Sequence, residues 1–312
     1  MKYSGIGGQA VMEGVMMRNG DKYAVAVRKP DNDIAVEVKN TRDINNIWHK
    51  IPIIRGMVSF VDSLVIGLST LMYSASFFED EDEVPKSELT EEELKKREKK
   101  EKAEMGGTLF VSFVLALAIF FALPYFISLG LNRFGLSPVA ITFVEGIIRI
   151  AIFIGYVMVI SRMEDIKRTF MYHGAEHKCI NCVETGLPLT VDNVRKSTRF
   201  HKRCGTSFIF IVFIISVFVF MFITFDNVWA KLLCRLLLIP VIAGISYEFI
   251  RLAGRYDNAF VNIFSKPGLW LQKLTVMEPD DDMIEVGIAS VEAVFDWKDF
   301  QEKNKECFSN DI

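Results

Sequence analysis

Apolar and polar residues fall into long blocks along this chain. Gly107 to Leu131 is a run of 25 residues without one charge, and Ser207 to Phe225 is a run of 19. A helix of either length is expected to cross a hydrocarbon layer ~30 Å thick. Val139 to Ile160 and Trp229 to Ile250 have spanning length but carry Glu145 and Arg149, and Lys231, Arg235 and Glu248. Their charged positions must face protein or water rather than lipid. Ile53 to Phe78 is a further apolar stretch, interrupted by Arg55 and Asp62.

Charge orients these blocks. Lys and Arg number eight in residues 1–52, seven in 79–106, nine in 162–206 and seven after 250, against one in 132–138 and none in 226–228. The positive-inside rule therefore puts the large segments in the cytoplasm and the two short connections outside. A single crossing by Ile53–Phe78 would break this pattern, so the stretch reads as an interfacial or re-entrant helix packed on the bundle, with a true span as the alternative. The expected fold class is a multi-pass α-helical membrane protein with about four transmembrane helices, one interfacial or re-entrant helix and small cytoplasmic α+β parts. Hydrophobic content of 51% agrees, being too high for an ordinary soluble enzyme. The N-terminus runs polar and Gly-rich without a short apolar core, so the protein is expected in the inner membrane, uncleaved, with both termini cytoplasmic.

Seven segments follow: 1–50, 51–78, a charged linker at 79–106, a helical hairpin at 107–161, a loop at 162–206, a second hairpin at 207–250 and a C-terminal part at 251–312. Tyr23–Arg28 and Asp33–Val38 alternate around Lys29-Pro-Asp-Asn32, which predicts a β-hairpin. The glycines of Gly5-Ile-Gly-Gly-Gln ahead of it lack a phosphate-loop pattern and read as a tight turn. In the 162–206 loop, Lys167–Thr185 predicts a helix ending at Gly186, and a second short helix starts near Thr190. Near the C-terminus, Glu278-Pro-Asp-Asp-Asp282 precedes an apolar-periodic stretch, as at a helix start whose acids cap free amides.

The chemistry concentrates in the 162–206 loop. Tyr172-His-Gly-Ala-Glu-His-Lys178 contains an H-x-x-E-H motif with two of the chain's four histidines. On a helix His173 and His177 lie on one face and reach one metal ion, with Glu176 beside the open coordination position as general base. A third ligand is expected from His201 or Cys204, with Glu248 as a further candidate. Cys179-x-x-Cys182 with His201-x-x-Cys204 also has the spacing of a closed structural zinc knuckle. Glu145 and Arg149, four apart, are expected to pair along one helix face, with Arg235 completing the network.

Four stretches together resemble one family: Gly7-Gly-Gln-Ala-Val-Met-Glu-Gly-Val-Met-Met-Arg18, Tyr172–Lys178, His201-x-x-Cys-Gly-Thr-Ser-Phe208, and Gly268-Leu-Trp-Leu-Gln272 with Glu278–Asp282. The chain is similar to the YqhQ-like bacterial group of unknown function, described as predicted metal-dependent membrane enzymes. The resemblance implies that Cys179 lies outside the shared pattern, which favours His173, His177, His201 and Cys204 as ligands. The expected function is that of a metal-dependent hydrolase at the cytoplasmic membrane rim, using zinc or a similar divalent metal. Membrane lipid and a peptide or lipid-linked substrate are the expected partners, with no nucleic acid and an open oligomeric state. A non-catalytic scaffold and a transporter using the intramembrane charges are the alternatives.

Overall fold

The computed structural model describes residues 2–41, 47–78, 90–223, 225, 227–255 and 259–309. The charged linker expected over 79–106 lies outside the described residues as far as residue 89.

Four strands, β1 (Gly7–Val11), β2 (Gly14–Asn19), β3 (Lys22–Arg28) and β4 (Ile34–Asn40), form an antiparallel meander in the order β1-β2-β3-β4. The expected hairpin is β3 and β4, with Arg28 opposite Ile34. The Gly-rich segment was read as a tight turn, but it supplies β1, and the turn comes later, at Met12 and Glu13, where Glu13 takes φ 46. Alternation along β3 serves two buried faces rather than one. Tyr23, Val25 and Val27 pack on one side with Ile66, Tyr73 and Phe77, while Ala26 packs on the other with Val15, Met17 and the helix Asp281–Val294.

Helix α1 (Ile54–Ala75) is continuous across Arg55 and Asp62. Its first turn approaches the later helix at Gly244, where a Cβ on Gly56 would lie 2.7 Å from the Gly244 carbonyl. Its last turn reaches the sheet, where Ser74 Oγ accepts from the Met12 amide at 3.2 Å. Helix α2 (Glu91–Leu117) starts in a capping box between Thr90 and Glu93 and absorbs much of the charged stretch. A π turn at Ala118–Ala122 joins it to α3 (Leu123–Leu129). Then follow α4 (Pro138–Ile160), α5 (Glu164–Glu184), α6 (Val191–Lys196), α7 (Gly205–Met221), α8 (Val228–Arg255), α9 (Ala259–Thr275), α10 (Asp281–Val294), α11 (Trp297–Lys303) and α12 (Lys305–Ser309).

Among the described residues, four helical stretches are long and apolar enough to cross a membrane: Ile54–Phe78, Ala103–Phe134, Pro138–Ile160 and Val228–Ala253. Helix α7 differs from the span expected at Ser207–Phe225, because it closes at Met221 after 17 residues, about 25 Å at the rise of an α-helix. A charge-free run sets an upper limit on a span, not the point where the helix stops. Large apolar side chains such as Phe110, Phe218 and Leu237 stand mostly exposed on these helices.

Inside the bundle, the ion pair expected between Glu145 and Arg149 forms at 2.6 Å, and Arg235 joins with its Nη1 at 2.8 and 2.7 Å from the two Glu145 oxygens. Arg149 also donates to Ser216 Oγ and to the Phe120 carbonyl, both at 2.9 Å. The π turn containing Phe120 interrupts the regular helical ladder, which leaves such a carbonyl available to a side chain.

Candidate metal centre

The motif helix α5 is held from three sides, and each contact sets one side chain of the site. Acids Glu164 and Asp165 occupy its first turn, and Gly186 ends it with φ 79. At Gly174 an added Cβ would stand 1.9 Å from the Met277 carbonyl, so only glycine lets the segment after α9 lie against α5 here. That approach brings the Thr275 carbonyl to His173 Nδ1 at 3.0 Å. On the opposite flank, Lys178 Nζ donates to the Arg195 and Ser197 carbonyls, and Asn181 Nδ2 to those of Thr198 and Phe200. Pinned in this way, the 195–201 segment sets the Arg199 carbonyl 2.6 Å from His177 Nδ1.

A carbonyl only accepts, so both imidazoles carry a proton on Nδ1, which leaves Nε2 as the nitrogen that would bind a metal. The two rings stand 4.5 Å apart between centroids. Cys204 caps the start of α7, its sulfur 3.2 Å from His173 Nε2, 3.1 Å from Thr206 Oγ1 and 3.4 Å from the Thr206 amide. One nitrogen from each of His173 and His177 and the Cys204 sulfur lie within 4.8 Å of one another. Burial alone would raise the Cys204 thiol, but the two histidines beside it hold it well below its usual range. Burial would likewise lower His173, and the Cys204 sulfur more than reverses this, raising it to about 9. The pair is thus a thiolate beside an imidazolium: the sulfur is in its metal-ligating form, and a bound metal would displace the proton on His173 Nε2.

Glu176 lies on the same face of α5, 5% exposed, with a carboxylate oxygen 4.0 Å from His173 Nε2. Burial pushes its carboxyl above the usual range, while both histidines and the Gly8 amide act against this. Strand β1 reaches it only because residue 8 is glycine, since a Cβ there would stand 2.8 Å from Glu176 Cγ.

The other expected ligands stand elsewhere. His201 is a ring's width away, 5.7 Å from His177 between centroids, but its Nε2 faces Glu184 at 3.6 Å. Glu184 also accepts from the Ser4 amide and hydroxyl at 2.9 and 2.7 Å, and pairs with Arg203. The four-ligand knuckle does not assemble: Cys179 packs against Gly287 of α10, and Cys182 faces the Leu187 and Pro188 carbonyls. Glu248 pairs with Arg55. Asp281 pairs with Arg195 instead of capping α10.

Gln272 stands in one of the stretches that carry the resemblance, with no sign there of what it touches. Gln272 is fully buried, accepting from the His201 amide at 3.0 Å and donating to the His201 carbonyl at 2.7 Å and to Ser207 Oγ at 3.0 Å. It braces both sides of Cys204. The donor set fits a borderline-soft divalent ion such as zinc, which takes imidazole nitrogen and thiolate sulfur and at catalytic sites keeps three protein ligands.

Residues 51–297 match the model of a family described as "Protein of unknown function (DUF1385)". The chain is also similar to the "Uncharacterized protein YqhQ" of Bacillus subtilis (strain 168), 36% identical over 315 residues that cover 98% of this chain and 97% of the relative. No solved structure matches. The chain belongs to the YqhQ-like family of proteins of unknown function, DUF1385.

Proposed function

We propose that this protein is a multi-pass inner-membrane hydrolase that uses zinc or a similar divalent metal at its cytoplasmic rim to cut a peptide or lipid-linked substrate. His173, His177 and Cys204 hold the ion, and Glu176 is the general base. The observation that carries this reading is the convergence of two imidazoles, both locked by backbone carbonyls, with a thiol and a buried carboxylate. When bound, the ion supplies Lewis acidity and lowers the pKa of water. Glu176 takes the proton of the attacking water and returns it to the leaving group, a role suited to a carboxyl raised by burial.

Membrane placement draws on the same contacts. Segments Ala103–Phe134, Pro138–Ile160 and Val228–Ala253 cross, with α7 beside them, and α1 lies along the inner face. Both ends of α1 support this, because one meets α8 and the other is bonded to the sheet that packs on α5 and α10. A crossing α1 would carry Ser74 a membrane's thickness from that sheet. Both termini then stay in the cytoplasm, in line with the Lys and Arg distribution.

The test is metal analysis of full-length protein with Glu176→Gln beside His177→Ala, together with complementation of a deletion strain. Stoichiometric metal with lost function in Glu176→Gln, and lost metal in His177→Ala, is the expected result. Retained function in Glu176→Gln would sink the hydrolase and leave a structural ion.

A further inference from the structure

The charged cluster inside the bundle is not balanced. Arg149 and Arg235 share one carboxylate, Glu145, and all three are at most 3% exposed. Arg235 gives both bonds to Glu145 from Nη1 alone. Its Nε and Nη2 are buried without a hydrogen-bond partner among the described residues. These two N–H groups form the side-on edge of the guanidinium, two parallel donors at the spacing of two oxygens on one carboxylate or phosphate. Aromatic rings cover the faces: the Arg235 guanidinium carbon sits 4.9 Å from the Phe220 centroid and 5.0 Å from that of Tyr125. A ligand therefore meets the edge. Lys231, one turn earlier on α8, also points to Tyr125, with Nζ 6.0 Å from the ring centroid. Arg149, Arg235 and Lys231 against Glu145 leave two positive charges in an apolar surround, where an unpaired charge is costly.

We propose that the Arg235 edge and Lys231 form a binding site for a phosphate-type oxyanion, supplied by the headgroup of an anionic phospholipid. This rests on the membrane placement above and is independent of the metal centre. From Val228, Lys231 lies about 4 Å and Arg235 about 10 Å along α8, at 1.5 Å per residue. Lys231 is thus near headgroup level at the outer end of the bundle, and Arg235 sits one turn deeper. A phosphodiester drawn slightly inward reaches both.

Native mass spectrometry of full-length protein in mild detergent tests this, with phosphatidylglycerol, phosphatidylcholine and inorganic phosphate as probes. Wild type is expected to retain one phosphatidylglycerol in preference to phosphatidylcholine. Arg235→Lys keeps the charge but loses the two-donor edge, and is expected to weaken retention at least tenfold; Lys231→Gln is expected to weaken it several-fold. Retention unchanged in both variants overturns the site. Displacement of the lipid by millimolar inorganic phosphate overturns the lipid assignment in favour of a soluble anion. Should Arg235→Lys fail to fold, Lys231→Gln decides alone, unchanged retention again counting against the site. Release of the protein from membranes by alkaline carbonate would instead sink the membrane placement.

Discussion

Gln272 touches none of the three donors, yet it fixes where one of them stands. Its side-chain amide bonds to both the amide and the carbonyl of His201, three residues before Cys204. Replacing it with Leu leaves those buried groups unpaired and frees the Cys204 loop. Supporting residues of this kind are typically worth ~10–100-fold in metal affinity. Gln272→Leu is accordingly expected to weaken zinc binding by that factor, read by competition with a chromophoric chelator, while helicity by circular dichroism stays unchanged. Glu184 anchors the same loop. Burial alone would raise its carboxyl, but His201, Arg203 and the Ser4 amide reverse this and hold it down to about 2. A carboxylate lower in the folded than in the unfolded state stabilises fully above its unfolded pKa and loses that effect as pH falls through the folded value. Against an unfolded value near 4.5, the difference is on the order of 3 kcal/mol. Melting midpoints are therefore expected to fall between about pH 4.5 and 2, and Glu184→Gln to lower the neutral-pH midpoint while flattening that dependence. An equal acid slope in the variant would refute the assignment. In the sequence, the spacing of His173, Glu176 and His177 was legible because helical periodicity alone puts them together. The roles of Gln272, which stands in one of the stretches that carry the resemblance, and of Glu184 were not, since their partners lie 71 and 180 residues away and carry no local pattern.

At the scale of elements, α5 forms where its sequence predicts a helix, and one of its residues has a role that its helix propensity does not show. Gly174 looks like a weakness of up to ~1 kcal/mol in a helix interior. Its actual part is to admit the Met277 carbonyl, and with it the Thr275 carbonyl that orients His173. Gly174→Ala improves helix propensity and blocks this approach, so local and tertiary effects oppose each other. A methyl 1.9 Å from a carbonyl oxygen forces the segments apart, and the tertiary effect wins. The expected result is a lower melting midpoint together with weaker zinc binding; a more stable protein with unchanged affinity would show that α5 and the 275–279 segment do not need this contact. Strand β1 teaches the same lesson. Its glycines read as a tight turn, whereas Gly8 lets the backbone pass close to Glu176, 168 residues on in the chain. The β3–β4 hairpin, by contrast, was legible from alternation and a Pro-Asp-Asn turn because all its determinants are local.

Across the whole molecule, α1 decides the topology. Composition and length count it among the helices able to cross, and hydropathy weighs only what a segment is made of. Where it goes depends on what its ends touch. The sheet precedes α1 in the chain, packs on α5 and α10, and still receives the last turns of α1 through Ser74, Tyr73 and Phe77. A helix about 33 Å long cannot leave the face that holds the sheet and also end on it. Charge counting favours the placement proposed above, because the basic segments on either side of α1 would otherwise face opposite compartments. The consequence is measurable with a membrane-impermeant maleimide on intact cells, in a background where the exposed Cys307 and the half-buried Cys234 are replaced by serine. Lys50→Cys and Thr90→Cys flank α1 and are both expected to stay unlabelled until the cells are opened. Arg133→Cys and Asn227→Cys, in the two short connections, are expected to label at once. Labelling of only one of the two flanking cysteines, Lys50→Cys or Thr90→Cys, in intact cells would mean that α1 crosses. The sheet could not then cover Glu176 through Gly8, and the metal centre would lose the wall that keeps its base buried.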